Sequence, residues 1–332
     1  MTKIVTLGEI MLRLSAPGNS RLTQTQTFHV AYGGSEANVA ISLSLFGMTS
    51  EHVTAFPDND FGVAATQHLR KFGVITDHIQ YMVNDRMGVY FLEEGAMQRA
   101  SRIVYDRFDS AFAHIKSGSV KWEKVFKDAS WFHWSGITPA ISQGAADVCL
   151  QAIQAANKMG VTVSGDVNYR RNLWQYGKKV DEIMPALIKG TNIVVGGSGD
   201  IENCTGIKGD SFKDSCEKLM KKNKLVKKVF NTNRESISAS RNKISGKVFD
   251  GNEVFKSKEY DLTHIVDRVG TGDAFMAGII YGMQNKMSDQ EALEFGVAAG
   301  VLKHSVEEDV NLATVKEVEA LVKDENVGKL MR

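Results

Sequence analysis

The sequence predicts an α/β protein in three layers, with a mostly parallel central sheet covered by helices and a small β-strand lid. Three observations predict it. Strand-like and helix-like segments alternate through most of the 332 residues, the pattern of a buried parallel sheet. Two stretches break that alternation, Arg13–Val30 and Arg86–Arg107, which read as extended and partly polar with no helix between them. Glycine-rich polar clusters fall where strands should end, the usual place for ligand sites in such sheets.

The elements follow in order. Lys3–Leu7 is β-like, and its apolar run breaks at Gly8 and Glu9. Ser35–Phe46 carries a helical stripe of Val39, Ala40, Leu43 and Phe46. Val53–Phe56 reads as strand, and Phe61–Phe72 as a helix stopped by Gly73. Trp131–Trp134, Val161–Val163, Asn192–Val195 and Lys228–Phe230 read as short buried strands. Ala145–Met159, Asp181–Ile188 and Phe212–Lys222 read as the helices between them. Ser236–Phe255 reads as a small late hairpin, and the chain after Asp273 as mainly helical. The lid is expected over about residues 11–30 and 86–108, inside a single domain spanning 1–332.

Composition narrows the class. With 43% hydrophobic and 24% charged residues, the chain can bury a large core. Its formal net charge of +1 argues against a general nucleic-acid binder and gives no pull toward anionic membranes. Three scattered cysteines, Cys149, Cys204 and Cys216, form no metal-ligand pattern, so a reducing cytoplasmic setting is expected. The N-terminus reads as a first strand and a poor signal peptide, and no apolar run is long enough to span a bilayer.

The run Asp267-Arg268-Val269-Gly270-Thr271-Gly272-Asp273 carries the most chemistry. Gly270 and Gly272 let the backbone approach a ligand. The apolar stretch after Asp273 starts a helix, which aims free N–H groups at whatever lies above the glycines. Asp273 at that junction is either a helix cap or a base that takes a hydroxyl proton while a phosphoryl group is held nearby. Gly33-Gly34-Ser35-Glu36-Ala37-Asn38 also opens a helix. It is either a turn or a place where a ligand meets backbone N–H groups and the Asn38 side chain.

Both motifs, in this order, resemble those of the ribokinase-like (PfkB) sugar kinases, and the resemblance runs over nearly the whole chain. It implies the ribokinase-like fold. It implies sugar at Gly33, Gly34 and Asn38, phosphate at the Gly270–Thr271–Gly272 amides, and Asp273 as catalytic base, with ATP and Mg²⁺ as cofactors. The closer resemblance is to 2-keto-3-deoxygluconate kinases, carried by Gly8–Leu14, Ile103–Arg107, Asp267–Val269 and Leu302–Ser305. That group implies a sugar acid held by Tyr90, Tyr105, Arg107 and Arg170, with Lys303 and His304 on the nucleotide side. Guanidinium groups suit a carboxylate or keto-acid end. A homo-oligomer is also expected. The rival readings are a neutral-sugar kinase such as a fructokinase, and a sugar- or nucleotide-binding regulator with weak catalysis.

Two stretches depart from the family pattern. Where many of these kinases carry Asn-x-x-Glu, this chain has Gly197 and Asp200, so Asp200 is the candidate metal-side carboxylate. Where relatives carry Pro-Gly-Asp-Phe-Asn, it has Glu307-Glu308-Asp309-Val310-Asn311, a change expected to affect the nucleotide-side loop and not the chemistry. P-loop, protein-kinase, dinucleotide-binding and G-x-S-x-G hydrolase motifs are missing from the sequence.

Overall fold

The computed structural model describes residues 3–325. The chain opens with β1 (Lys3–Leu7), β2 (Met11–Ser15) and β3 (His29–Gly33), then α1 (Ser35–Leu45), β4 (Thr49–Val53) and β5 (Ala55–Pro57). Next come α2 (Asp60–Lys71), β6 (Gln80–Met82), β7 (Val89–Glu93), β8 (Arg102–Asp106) and α3 (Trp122–Val125). β9 (Ala129–Ser135), α4 (Thr138–Ile141), α5 (Gln143–Lys158), β10 (Thr162–Asp166), α6 (Val180–Lys189) and β11 (Ile193–Val195) follow. The last third holds α7 (Ser198–Thr205), α8 (Phe212–Lys222), β12 (Lys228–Ser236), β13 (Asn242–Phe249), β14 (Val254–Lys256) and β15 (Tyr260–Leu262). It closes with α9 (Thr271–Gln284), α10 (Asp289–Lys303) and α11 (Val315–Val322).

A nine-stranded sheet runs in the order β14-β13-β12-β11-β10-β9-β1-β4, with β15 against β13. From β4 to β12 every neighbouring pair is parallel; the β12–β13–β14 end is antiparallel. Side chains alternate across this sheet as its period of two demands. Val5 and Phe132 enter the core under α5, α6 and α8, whereas their neighbours Ile4 and Trp131 enter the core with α9 and α10. The strands are apolar on both faces because both are covered.

The second sheet has the order β3-β2-β7-β8 and stands apart from the first. β2 and β7 are parallel, while β2–β3 and β7–β8 are antiparallel. The 13–30 stretch is less extended than its residues suggest. β2 ends at Ser15, turns built on Pro17 and Gly18 intervene, and pairing resumes at His29. The late hairpin is longer than expected, because β12 pairs with β13 from Val229 to Ser236. Trp131 and Trp134 are core residues, as are the three cysteines, all free thiols. Among the described residues no helix is long and apolar enough to cross a membrane.

Helices α9 and α10 pack through a glycine contact. A Cβ added to Gly278 would lie 2.6 Å from the Gly296 Cα, which is backbone and cannot rotate away. Gly278→Val should therefore overpack the contact and destabilise the fold by about 1–3 kcal/mol. Urea unfolding checks this; an unchanged midpoint would mean that the two helices separate freely.

Candidate active site

The carboxyl ends of the parallel strands and the inner side of the small sheet enclose a cavity of about 540 Å³. The two sequence motifs meet there. Asp273, in the first turn of α9, accepts a hydrogen bond from the Ser35 hydroxyl (2.6 Å) and another from the Asn38 side-chain amide (2.7 Å). Both donors belong to the first turn of α1, 235 or more residues away in sequence. The Asn38 amide therefore holds Asp273 as well as lining the cavity. Ser35, left without a role by the sequence reading, is the other half of that grip.

The glycines divide by purpose. Gly270 has φ +82°, and a Cβ there would lie 1.9 Å from the Asp309 carbonyl oxygen. Gly33 and Gly34 are also required by packing, against the Asp309 carboxylate and the Glu9 carbonyl. Gly272 differs, since a Cβ there would meet nothing within 4 Å. It leaves open space at the positive end of a fourteen-residue helix.

Burial pushes the Asp273 carboxyl up to about 6, against the opposing pull of Ser35 and Asn38. Asp166, at the end of β10, rises to about 7 through burial, with the charge of Asp273 adding to it. Glu36 rises to about 7 for the same first reason, although Thr138 and Ser135 hydroxyls donate to it. Asp166 and Glu36 were not singled out as site residues from sequence; Glu36 sits inside the Gly33–Asn38 motif, which was the available signal.

The cations fall into two groups. Arg107 is 4% exposed and donates Nε (2.9 Å) and Nη2 (2.5 Å) to Glu9, so its charge is already matched. Arg13 on β2 is likewise paired, with Asp267 and Asp309. Arg170, Arg234 and Arg268 have no ion-pair partner among the described residues; all three line the cavity, as the paired Arg107 also does, and Arg268 donates to the Ser238 and Ala239 carbonyls. Arg170 favours the ionised form of both Asp166 and Asp273. Arg234 was missed from sequence because nothing around it forms a motif.

Tyr105 lines the cavity from β8. Tyr90 also lines it, but its hydroxyl donates to Asp309 at 2.7 Å and is committed there. Lys303 is fully buried, donates to the Val306 carbonyl, and forms no part of the cavity wall. His304 lines a small recess beside Thr271 and Gly272; its Nδ1 donates to the Gly300 carbonyl, and burial lowers it to about 4. Asp309 belongs to the Glu307–Asn311 stretch that departs from the family pattern. It stands in the cavity wall itself, between the small sheet and Gly270, because its carboxylate is drawn to Arg13 and Tyr90.

Among the described residues no cluster of three or more His, Cys, Asp or Glu is arranged to hold a metal ion. Asp200 uses one oxygen to cap α7 through the Gly197 N–H (2.9 Å), and its charge is felt by Asp166. Hard carboxylate oxygens of this kind fit Mg²⁺ arriving with phosphates, which needs one or two protein carboxylates and not a closed cage.

Comparison with known proteins agrees in scope with this geometry. The family described as pfkB family carbohydrate kinase matches residues 1–313. A 2-dehydro-3-deoxygalactonokinase of Haloferax volcanii is 28% identical over 326 residues, 98% of each chain. A 5-dehydro-2-deoxygluconokinase of Bacillus subtilis is 27% identical, covering 96% of this chain and 95% of that one. The crystal structure of a 2-dehydro-3-deoxygluconokinase from Thermotoga maritima superposes with a TM-score of 0.92. It is 41% identical and covers 97% of this chain and 100% of that one.

The raised Glu36 carboxyl has a consequence for stability. Its folded value of about 7 lies above the ordinary 4.5, so the folded state holds the proton more tightly. Stability from this group is full below pH 4.5 and is lost as pH rises toward 7. Glu36→Gln should flatten the fall in urea midpoint across that window. An unchanged slope would mean that Glu36 ionises normally.

Proposed function

Because the chain belongs to the pfkB family of carbohydrate kinases, we propose that it transfers the γ-phosphoryl group of ATP to the terminal hydroxyl of 2-keto-3-deoxygluconate. The observation that carries this reading is the Asp273 carboxylate, held by Ser35 and Asn38 beside the open N-terminus of α9 and facing the unpaired Arg170. The acceptor hydroxyl gives its proton to Asp273 as its oxygen attacks the γ-phosphorus and ADP departs. A carboxyl raised to about 6 is ionised at neutral pH and still a better base than an ordinary aspartate. The Gly270–Gly272 amides and the helix dipole stabilise charge on the moving phosphoryl group. Mg²⁺, when bound, neutralises nucleotide phosphate charge, and Asp166 and Asp200 are the carboxylates that would face it.

The acid preference rests on Arg170. Arg107 is satisfied by Glu9, so it orients the lid strands and contributes less net charge to a ligand. Arg170 keeps its charge for a carboxylate, and Tyr105 closes the other side from the lid. The lid of residues 11–30 and 86–108 would shield the acceptor from water, which otherwise takes the phosphoryl group. His304, beside Gly272, belongs to the nucleotide side in this reading.

The deciding experiment is ADP release across a panel holding 2-keto-3-deoxygluconate, its galacto epimer, 5-keto-2-deoxygluconate and fructose. Preference for fructose would end the sugar-acid reading and leave the sugar-kinase one. Within the preferred reaction, Asp273→Asn should lower kcat by about 10²–10⁴, with the circular dichroism spectrum unchanged. Near-normal turnover would remove Asp273 as the base. Arg170→Ala should weaken the sugar acid by about ten- to a hundredfold, the worth of one charged hydrogen bond, and fructose far less. Equal losses on both sugars would show that Arg170 does not read the carboxylate.

A further inference from the structure

Four charges are buried together at the cavity wall, which two of them, Asp267 and Asp309, line. Arg13, on β2, donates Nη1 to Asp309 Oδ1 (2.7 Å) and Nη2 to Asp267 Oδ2 (2.5 Å). Lys303, at the end of α10, is the fourth, and its ammonium feels both carboxylates. Two cations thus face two anions, all four side chains at most 4% exposed, and the half-buried Glu94 carboxylate is a third anion 3.8 Å from Arg13. Replacing such a cluster by apolar residues is often neutral or stabilising, so stability alone is a weak reason for it.

The connections suggest another reason. Asp309 receives Arg13 from β2 and the Tyr90 hydroxyl from β7, the two central strands of the small sheet. The Asp309 backbone carbonyl abuts Gly270, and its carboxylate abuts Gly33. Asp267, held by the same Arg13, accepts the Val269 N–H at 2.9 Å. One arginine and one aspartate therefore fix the small sheet to the backbone that leads into α9.

We propose that Asp309 is a positioning residue that couples the small sheet to the Gly270–Gly272 backbone, so that the anion-binding amides take their arrangement only while that sheet stands over the cavity. The purpose of the coupling rests on the kinase reading above; the mechanical link does not. A sheet displaced from the cavity withdraws Arg13 and Tyr90 together from Asp309. That leaves a buried carboxylate unpaired against Gly270, a state that relaxes by moving the loop.

Hydrogen exchange tests the link without any substrate. Tyr90→Phe removes one hydroxyl on β7 and leaves Arg13 and the ring in place. It should speed exchange of the Val269 and Ala274 amides, which are bonded to the Asp267 carboxylate and the Gly270 carbonyl in a different element, by about ten- to a hundredfold, as loss of one charged hydrogen bond permits. Asp309→Asn should do the same, and should also speed exchange in β7. The proposal falls if the Val269 and Ala274 amides keep their wild-type exchange in Tyr90→Phe while β7 alone loosens. It also falls if Asp309→Asn loosens the loop but not β7. Kinetics separate the two readings. With a phosphorylated sugar in hand, Asp309→Asn should lower kcat at least tenfold while shifting the sugar KM less than threefold, about the split expected of a residue acting on transition-state geometry. A rise in KM at constant kcat would overturn the positioning role. If exchange is coupled and no sugar is phosphorylated, the kinase reading fails and the link stands.

Discussion

The bond from Asn38 to Asp273, with Ser35 beside it, joins the first turn of α1 to the first turn of α9 at one carboxylate. Much of the site depends on this contact. It requires both helices to end at the same cavity, which a parallel sheet arranges by placing its carboxyl edges on one side. It holds Asp273 in a half-dry setting, where burial raises its carboxyl and two donors keep it within useful range. It also leaves the Gly272 side of the helix end open, since neither donor occupies that space.

Around that contact the protein sorts its cations by whether they are matched. Arg13 and Arg107 are almost fully buried and each meets carboxylate, so they organise the protein. Arg170 and Arg234 line the cavity without such partners among the described residues. Matching decides role more firmly than residue type does. Arg107 gives two N–H groups to one Glu9 oxygen, whereas Arg170 has no such bond among the described residues, although both line the cavity. Tyr90 and Tyr105 both line the cavity, but the Tyr90 hydroxyl is committed to Asp309.

The departures from the family pattern also acquire physical meaning. Gly197 and Asp200 form a capped helix start, with the Asp200 carboxylate closing on the Gly197 N–H. The Glu307–Asn311 stretch reaches the cavity that Gly270 and Gly272 also line. Its Asp309 enters the cavity wall, because two strands of the small sheet offer it an arginine and a phenol. Lys303 is also turned inward; burial lowers its ammonium pKa, and the neighbouring carboxylates Asp267 and Asp309 counter that only in part.

The sequence by itself determined the alternating strands and helices, the position of the small sheet, the two glycine motifs and Asp273. All of these are local properties: a period of two or 3.6, a turn residue, a cap. Helix α8 spans Phe212–Lys222, the range its apolar spacing predicts. Tertiary structure decided which charges meet. Arg13 lies 254 residues from Asp267 and 296 from Asp309, and Arg107 lies 98 from Glu9. No local pattern encodes such pairings, because a buried charge takes whichever opposite charge the packed sheets bring within hydrogen-bond reach. The two arginines legible as binders in sequence both line the cavity, Arg107 paired with Glu9 and Arg170 with no ion-pair partner among the described residues, a difference that only the packed chain decides.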